Sequence, residues 1–322
     1  MLQKTADELK WNINISNERK YLYENIINIF IKIPKICQNC SKHIINEKDN
    51  ITLNNPILFK CSKCGKVIYL RNNSFFGLFP RTPASLIDYI IKRWLLEENN
   101  ATKIYNKIVN NTTIHISDDQ TIRNILLKLR HIIAHFLRDK YEIEDFTKEN
   151  NNQKIAIDES CFTHIENKQV WVIGLINTVS KEFRLIPTFK RDSITLKEII
   201  HKYVKRGNYI ISDGWQGYSW ISEPNSGYYH ITHVHGHGQF GYGDESTSHI
   251  EQLWSVLKEL FRRIYVTIPC LYFTLFLKEI EWRYLISNKT DEAKINELVA
   301  LFDYVSSTTN FNLYDLDSFN LS

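Results

Sequence analysis

Residues 154–160 read Lys-Ile-Ala-Ile-Asp-Glu-Ser, a short apolar run that ends in two acidic residues. Three more runs of this kind follow, and a helical pattern separates the third from the fourth. The runs are rich in Ile, Val and aromatic residues, which is typical of strands. Strands are expected at 154–158, 170–178, 183–189 and 209–212, and the helix at 195–204. This order of strand, strand, strand, helix and strand predicts an α/β core.

Acidic side chains follow two of these strands. Asp158 ends the first strand, and Asp213 lies just past the fourth, in Tyr-Ile-Ile-Ser-Asp-Gly-Trp at 209–215. Carboxylates at the ends of neighbouring strands can converge on one point above a sheet. Mg²⁺ prefers hard oxygen ligands, and two ions about 4 Å apart can drive phosphodiester chemistry. Glu159 should face the other side of the strand and is the weaker candidate.

A later amphipathic helix adds a third acid. Its apolar stripe consists of Ile250, Leu253, Trp254, Leu257, Phe261 and Ile264. Glu251 and Lys258 are seven residues apart, so they share a face beside this stripe. We expect Glu251 to complete the metal site and Lys258 to contact a phosphate, with Arg191 and Arg262 as further phosphate contacts. Each acid taken singly would be an ordinary surface carboxylate, but the ordered set of three favours a catalytic site.

Two cysteine pairs lie ahead of this region. They are Cys37-x-x-Cys40 and Cys61-x-x-Cys64, with 20 residues between them. This is the spacing of a zinc ribbon with four thiolate ligands. Four protein ligands leave no open position on the ion, so we expect the zinc to be structural. Cys161 and Cys270 stand alone and are interpreted as small apolar residues.

Composition and charge bound the class of protein. The chain has 322 residues, 43% of them hydrophobic and 24% charged, which describes an ordinary globular protein. Residues 1–150 carry 23 Lys and Arg against 16 Asp and Glu, so this half is the better candidate for a phosphate-backbone contact. No signal peptide or membrane-spanning run is visible. We therefore expect an intracellular, reducing setting and no membrane partner.

The segment between the cysteine pairs and the core is helical in pattern. Thr82-Pro83 fits the start of one helix, and Ser117 fits the cap of a second. The second helix carries Arg123 and Lys128 on faces away from its apolar stripe. Such helices could form a helix-turn-helix that contacts DNA, although the stretch 101–116 is ambiguous.

A family resemblance rests on the stretches IAIDES, VWVIG, KRDSITL, YIISDGWQGY and HIEQLWSVLK. They resemble the catalytic domain of Merlin-type DNA transposases, which are similar to bacterial insertion-sequence transposases with a zinc ribbon and an Asp-Asp-Glu or Asp-Asp-Asn domain. The resemblance covers residues 35–286 and is strongest over 154–284. It implies an RNase H-like fold in which a mixed sheet is flanked by helices. It also implies a catalytic set of Asp158, Asp213 and Glu251, with Lys258 matching a lysine often found seven residues after the third acid.

The sequence departs from the family pattern just before the third acid. Relatives commonly carry Thr-Asn there, and some use the Asn as a ligand, whereas this chain has Ser248. That leaves Glu251 as the expected ligand. The His-rich stretch 230–249 is either a loop that touches DNA or metal, or a packed or solvent-facing loop; its histidines are His230, His233, His235, His237 and His249. Trp215, Tyr218 and Trp220 either stack on unpaired bases or pack beneath the site.

Five segments are predicted from these observations. They are a helical N-terminal segment at 1–34, a zinc ribbon at 35–70, a helical DNA-binding region at 80–140, a catalytic domain at 150–288 and a C-terminal tail at 289–322. The expected function is a DNA transposase that binds terminal inverted repeats and uses two Mg²⁺ or Mn²⁺ ions to cut them and join them to target DNA. By the resemblance it would act as a homo-oligomer in a synaptic complex, in the nucleus of a eukaryote or the nucleoid of a bacterium. The alternatives are a domesticated, catalytically silent DNA-binding protein and a host RNase H-like nuclease.

Overall fold

The computed structural model of the protein describes residues 36, 37, 39–41, 58–61, 63–69, 74–98, 100–111, 116–142, 152–233, 245–265 and 272–307. The expected N-terminal helical segment at 1–34 lies outside these residues, as do His235, His237 and Cys270. The described residues fall into two compact units. The first comprises 36–132 and 286–307, and the second comprises 133–285.

Regular elements account for most of both units. In chain order they are β1 (Leu58–Lys60), β2 (Val67–Tyr69), a 3-10 helix (Phe75–Leu78), α1 (Ala84–Leu96), α2 (Ala101–Asn111), α3 (Gln120–Leu137), a π-helical turn (Arg138–Glu142), β3 (Lys154–Ile165), β4 (Lys168–Asn177), β5 (Phe183–Thr188), α4 (Ser193–Tyr203), β6 (Tyr209–Asp213), a 3-10 helix (Gln216–Ser222), β7 (Tyr229–His233), α5 (Ser248–Ile264), α6 (Phe273–Leu285) and α7 (Asp291–Ser307). Within the described ranges, no helix combines the length and the apolar character that crossing a membrane requires.

In the first unit, the helices α1 and α3 begin slightly later in the sequence than predicted. α1 begins at Ala84, directly after Pro83, rather than at the proline. α3 begins at Gln120, whose backbone N–H donates to Asp118 Oδ1 over 3.0 Å, so Asp118 rather than Ser117 provides the capping side chain. The ambiguous stretch contains the helix α2.

The predicted C-terminal tail contains a helix. α7 buries Leu298, Leu301 and Phe302, whose spacing of three and four residues is that of an amphipathic helix. The ring of Phe302 is stacked on that of Phe75, with 4.6 Å between the centroids. Residues from the end of the chain therefore help to form the core of the unit in which the chain begins.

The second unit is built on one mixed sheet of five strands in the order β5-β4-β3-β6-β7. β3, β4 and β5 form an antiparallel meander, while β6 runs parallel to β3 and β7 parallel to β6. α5 and α6 cover one face, and α4 with the second 3-10 helix covers the other. The prediction of an α/β, RNase H-like core with a mixed sheet between helices is confirmed. β7 was missed because the Gly- and His-rich sequence around it was interpreted as a loop.

The prediction that Asp158 ends its strand is wrong. β3 continues to Ile165. Its second half stays in the sheet through its pairing with β4, although its pairing with β6 on the other side has already ended. On the other side, the last paired residues of β3 and β6 are Ala156 and Ile211. Asp158 and Asp213 each lie two residues beyond this pair. The two aspartates are therefore level with each other on neighbouring parallel strands, where the pairing of those strands stops.

Candidate active site and zinc centre

A glycine lets helix α5 approach the sheet beside Asp158. Gly174 on β4 is the residue directly opposite Asp158 in the sheet. A Cβ atom at Gly174 would lie 2.6 Å from Trp254 Cζ2 and 2.7 Å from Ile250 Cδ1, both on α5. Real side chains do not approach so closely. The absence of a side chain at residue 174 thus sets how near α5, and with it Glu251, comes to the aspartates.

Asp158 and Asp213 are half-buried, whereas Glu251 is exposed. Trp254 Nε1 donates a hydrogen bond to Asp158 Oδ2 over 2.9 Å. Burial raises the pKa of Asp158 to about 6, against the hydrogen bonds from the Glu159 backbone N–H and from Trp254. The negative charges of Asp213 and Glu251 add to the rise. Asp158 and Asp213 lie level on neighbouring strands, and the Trp254 hydrogen bond ties the helix of Glu251 to Asp158, so the three acids belong to one region of the sheet.

Asp213 and Glu251 are each oriented by a neighbour. Asp213 Oδ1 accepts a hydrogen bond from the backbone N–H of Trp215 over 3.0 Å. Glu251 lies in the first turn of α5, and its Oε1 accepts one from Thr247 Oγ1 over 3.0 Å. The Ser248 hydroxyl accepts one from Ser246 at 2.9 Å. Of the two candidates for the third ligand position, Glu251 is the one whose charge acts on Asp158.

Two cations follow Glu251 along α5. The ammonium of Lys258 lies 5.5 Å from the centre of the Phe162 ring on β3. Arg262 Nε donates to the Lys258 carbonyl oxygen over 3.2 Å, and its side chain is exposed. Lys258 is therefore anchored close to the sheet, whereas Arg262 lies one turn further along α5. Their contact with phosphate stays a prediction.

The opposite face of the sheet carries Glu159. Tyr218 donates its hydroxyl proton to Glu159 Oε2 over 2.8 Å. Burial raises the pKa of Glu159 to about 7, and the charges of Asp158 and Asp213 contribute. As alternation along a strand requires, Glu159 points away from α5. Arg191, a predicted phosphate contact, also lies on this side, with its guanidinium 4.2 Å from the centre of the Trp171 ring.

Most of the aromatic residues after Asp213 are packing residues. Tyr218 and Trp220 are buried in the core between the sheet and α4. Trp215 packs against the edge of that core and is only half-buried. The packing interpretation therefore describes Tyr218 and Trp220, while Trp215 keeps an accessible surface.

The described histidines have partners within the protein. His230 lies 2.9 Å from Ser212 Oγ and 2.7 Å from Ser222 Oγ, and burial lowers its pKa. His233 contacts the backbone oxygen of Glu245. The ring of His249 lies 3.2 Å from Lys181 Nζ. His230 and His233 lie on β7 and His249 lies on α5, so the interpretation of these three as loop residues is wrong; their contacts are with neighbouring protein groups.

In the first unit, the four cysteines form one cluster. Their sulfur atoms all lie within 4.8 Å of one another. Cys37 and Cys64 are separated by 3.6 Å, and Cys40 and Cys61 by 3.7 Å. A tetrahedral Zn²⁺ with Zn–S bonds of about 2.3 Å places its sulfurs about 3.8 Å apart. The cluster therefore has the dimensions of a structural zinc site.

Two similar turns present these cysteines. The Ser41 backbone N–H donates to the Cys37 carbonyl oxygen over 2.8 Å, and that of Gly65 donates to Cys61 over 2.9 Å. Ser41 and Gly65, each placed just after the second cysteine of its pair, have φ angles of +51° and +69°. This left-handed conformation lets each turn close around a metal. The second turn joins β1 to β2, which pair in antiparallel fashion.

Backbone donors prepare the thiols for metal. The backbone N–H of Lys66 lowers the pKa of Cys64 to about 6, and that of Cys40 lowers the pKa of Cys37. At Cys61 the backbone N–H of Cys64 acts in the same direction, but burial and the neighbouring thiols outweigh it and raise the pKa to about 11. Since zinc binds thiolates, metal uptake would release the protons that the cluster still holds at neutral pH.

The two predicted DNA contacts on α3 have different surroundings. Arg123 is exposed, and its Nη2 lies 2.6 Å from Asp119 Oδ2. The Lys128 ammonium donates to the Leu78 carbonyl oxygen over 2.9 Å and lies 4.7 Å from the centre of the Phe79 ring. Lys128 thus ties α3 to the segment before α1, which leaves Arg123 as the more accessible of the two.

Comparison with known families assigns the second unit. Residues 144–284 match the model of the ISXO2-like transposase domain. This region is similar to the transposase domains of that family. The match includes Asp158, Asp213, Glu251 and Lys258, and it confirms the predicted resemblance to transposases of the insertion-sequence type. A search of curated proteins found no match to the chain.

Distant similarity to solved structures was also found. The HTLV-2 integrase catalytic core domain in complex with magnesium, in its trimeric form, is 11% identical over 47% of this chain and 84% of that chain, with a TM-score of 0.24. The simian T-cell lymphotropic virus intasome in complex with PP2A regulatory subunit B56 gamma is 11% identical over 65% of this chain and 66% of that chain, with a TM-score of 0.26. At these scores, the fold assignment rests on the strand order described above.

Proposed function

We propose that this protein is a DNA transposase that cuts the ends of a mobile element and joins them to target DNA. Residues 144–284 are similar to transposase domains, so DNA transposition is the general class of its activity. The observation that carries the finer proposal is the placement of the acids: Asp158 and Asp213 are level on β3 and β6, and Trp254 ties α5, which carries Glu251 in its first turn, to Asp158.

The three carboxylates suit Mg²⁺ or Mn²⁺. Within the described part of the chain, the four cysteines are the only group of three or more His, Cys, Asp or Glu side chains close enough to share one ion, so the three acids are not a preformed site and a bound cation would have to draw them together. Mg²⁺ keeps several waters and commonly binds one or two carboxylates together with substrate phosphates. A divalent cation would also relieve the repulsion that Asp158 experiences. Two ions held there would activate the attacking oxygen and stabilise the leaving oxygen.

Side chains around the acids have supporting roles in this proposal. The hydrogen bond from Trp254 fixes the orientation of the Asp158 carboxylate, as partners of metal ligands commonly do. Lys258 and Arg262 would contact phosphates of the bound strand. Because Asp158 must be ionised to hold a cation, and burial raises its pKa to about 6, we expect metal binding to weaken as the pH falls through this value.

The first unit is the proposed holder of the terminal inverted repeats. It contains the cysteine cluster, α2 and the part of α3 up to residue 132. These helices are linked by Thr102 on α2, whose hydroxyl lies 3.3 Å from Arg123 Nη2 and 3.4 Å from Asp119 Oδ2. A helix pair of this kind can place its second helix in a DNA groove. Arg123 is then the better placed of the predicted contacts, and Lys128 acts mainly in packing.

Two further statements belong to the proposal. Joining two transposon ends requires both in one complex, so we propose a homo-oligomeric synaptic complex on double-stranded DNA. We propose an intracellular location, in the nucleus or nucleoid, because the cysteine cluster needs reduced thiols.

The test is cleavage of a labelled duplex that carries the element's own terminal repeat, with Mg²⁺ or Mn²⁺. The full-length wild type is compared with Glu251→Gln, and Glu259→Gln is the matched control, since Glu259 is exposed on the same helix, 3.9 Å from Arg263. We expect metal-dependent cutting by the wild type and the control. Loss of a metal ligand costs several kcal/mol of transition-state stabilisation, so Glu251→Gln should be slower by about a thousandfold.

Other outcomes would select the alternatives. Tight binding of the end with no cutting by any of the proteins would favour the catalytically silent DNA-binding protein. Equal cutting of transposon ends and of unrelated structured nucleic acid would favour a nuclease. Cutting by Glu251→Gln at the rate of the wild type would remove Glu251 from the catalytic set.

A further inference from the structure

An arginine and two tryptophans form a stack on the sheet face opposite α5. The Arg191 guanidinium carbon lies 4.2 Å from the centre of the Trp171 ring and 5.0 Å from that of Trp215. Trp171 shares a strand face with Ile173 and Leu175, which belong to the core beneath α4. Arg191 is exposed, and both tryptophans are half-buried. A planar cation and two indoles are therefore presented together at the surface.

The charge of Arg191 is not neutralised by an ion pair with any described residue. Other arginines of this unit do have such a partner, for example Arg283 with Glu279 at 2.9 Å. The charge of Arg191 acts on the carboxyl of Glu159. Burial and the charges of Asp158 and Asp213 raise the pKa of Glu159, and the charge of Arg191 lowers it. The guanidinium is held flat against indoles and keeps its N–H groups for another acceptor, a geometry that suits phosphate.

The stack is adjacent to the proposed catalytic acids. The backbone N–H of Trp215 donates to Asp213 Oδ1 over 3.0 Å, so the indole is fixed two residues from a metal-binding candidate. Glu159 follows Asp158 in the sequence, and its pKa is affected by the charges of Arg191 and of both aspartates. The Asp158 side chain faces α5, on the other side of the sheet, so a strand bound at Asp213 would reach this stack by passing round the end of β6, where the Trp215 backbone N–H contacts Asp213.

We propose that Trp171, Arg191 and Trp215 form a subsite for unpaired nucleotides next to the scissile phosphate. Arg191 would bind a backbone phosphate, and the exposed indole and guanidinium surfaces would stack on one or two bases. Every base has an aromatic face, so such stacking tolerates many sequences and favours single strands over paired ends. This inference rests on the proposed function, since it places a strand at the two aspartates.

The test compares the binding of two labelled duplexes to the full-length, zinc-loaded protein without added Mg²⁺ or Mn²⁺. One duplex is blunt, and the other carries a single-stranded extension of five nucleotides. We expect the wild type to prefer the extension. Arg191→Ala and Trp171→Ala should each weaken binding of the extended duplex by about tenfold, in line with the loss of one stacked base, with little change for the blunt duplex. Lys197→Ala is the matched control, because it removes an exposed cation 5.2 Å from the Trp220 ring.

Each outcome of this experiment supports or overturns the proposed subsite. Equal loss in Lys197→Ala, or retention of the preference in Arg191→Ala, would overturn the subsite. Arg191→Ala changes an exposed residue, so it stays informative if Trp171→Ala fails to fold. Cleavage that depends on Glu251 without any preference for the extension would leave the proposed function standing and remove the subsite. If the wild type prefers the extended duplex, Arg191→Ala and Trp171→Ala lose this preference, and none of the proteins cuts DNA, then the subsite stands and the proposed function fails.

Discussion

The two candidate metal sites of this protein are built in opposite ways. The cysteine site takes its ligands from two short turns, and its paired sulfurs lie 3.6 and 3.7 Å apart, as a tetrahedral ion requires. The proposed carboxylate site would take its ligands from β3, β6 and α5, and its acids do not lie close enough together among the described residues to share one ion. The first site is complete without a substrate. The second leaves positions for phosphate oxygens and water.

This difference shows what each metal would contribute. A closed zinc site adds its binding energy to folding, because the unfolded chain holds no such cluster. The open site does the reverse when no metal is bound, since burial and like charges destabilise the ionised Asp158. Perturbing the two sites should therefore change the stability of the protein in opposite directions.

The largest expected effect is at the closed site. Replacing Cys61 with Ser removes one of four thiolates, and structural zinc contributes on the order of 10 kcal/mol to folding. We expect the variant to lose its bound zinc and the folded ribbon, measured by metal content and by amide exchange of residues 58–69. Cys161→Ser is the control, because Cys161 lies on β3 outside the cluster. Stoichiometric zinc in Cys61→Ser would contradict the four-thiolate site.

The second prediction tests whether Trp254 orients the carboxylate of Asp158. Trp254→Phe keeps an aromatic ring but removes the donor to Asp158. Partners of metal ligands commonly affect activity by about 10- to 100-fold, and we expect a loss of cleavage in this range. The control is Trp220→Phe, since the Trp220 indole is buried and its Nε1 has no hydrogen-bond partner among the described residues. Similar losses in the two variants would mean that the indole acts only through packing.

A third change tests the approach of α5. Gly174→Ala would place a methyl group 2.6 Å from Trp254, so the helix must move or the ring must turn. Overpacking of this kind costs about 1–3 kcal/mol, and we expect a lower melting temperature together with weaker cleavage. The control is Gly65→Ala in the first unit, where the new Cβ meets nothing within 4 Å and the cost comes only from the φ angle of +69°. Full cleavage by Gly174→Ala would show that the distance of α5 from the sheet is not critical.

The smallest expected effect is an increase in stability, where the changes above decrease stability or activity. The pKa of Asp158 in the folded protein is about 6, above its ordinary value, so the folded state binds this proton more tightly. Its contribution to stability is therefore lost as the pH rises from about 4 to about 6. Asp158→Asn should abolish cleavage yet raise the free energy of unfolding at pH 7 by on the order of 1–2 kcal/mol. Urea unfolding at pH 4.5 and pH 7 measures this.

Asp192→Asn is the contrasting variant. Asp192 caps α4 and accepts a hydrogen bond from the Thr195 backbone N–H over 2.9 Å, which lowers the pKa of its carboxyl. Removing that charge should reduce stability at pH 7. A reduction in Asp158→Asn as well would show that the buried carboxylate is not under repulsion.

The same contrast explains what could be predicted from the sequence. The cysteine site follows from local spacing, since two CxxC pairs, and the glycine after the second of them, are visible in the sequence. Four of the five strands of the sheet and the faces of α5 follow from composition and periodicity, whereas β7 and the full length of β3 do not. The level positions of Asp158 and Asp213 depend on where β3 and β6 stop pairing, which no local pattern reveals. The roles of Gly174 and Trp254 depend on a contact between distant segments, so no local pattern indicates them beyond the apolar stripe that includes Trp254.

Helix α7 has a consequence for the order in which the protein matures. The stack of Phe302 on Phe75 joins two residues that are far apart in the order of synthesis. The described part of the second unit, which ends at residue 285, is translated before α7. The first unit must therefore wait on the ribosome for this helix, while the sheet of the second unit can already have formed. A nascent chain that stops before residue 291 would contain all five strands of the sheet but lack a helix of the first unit's core.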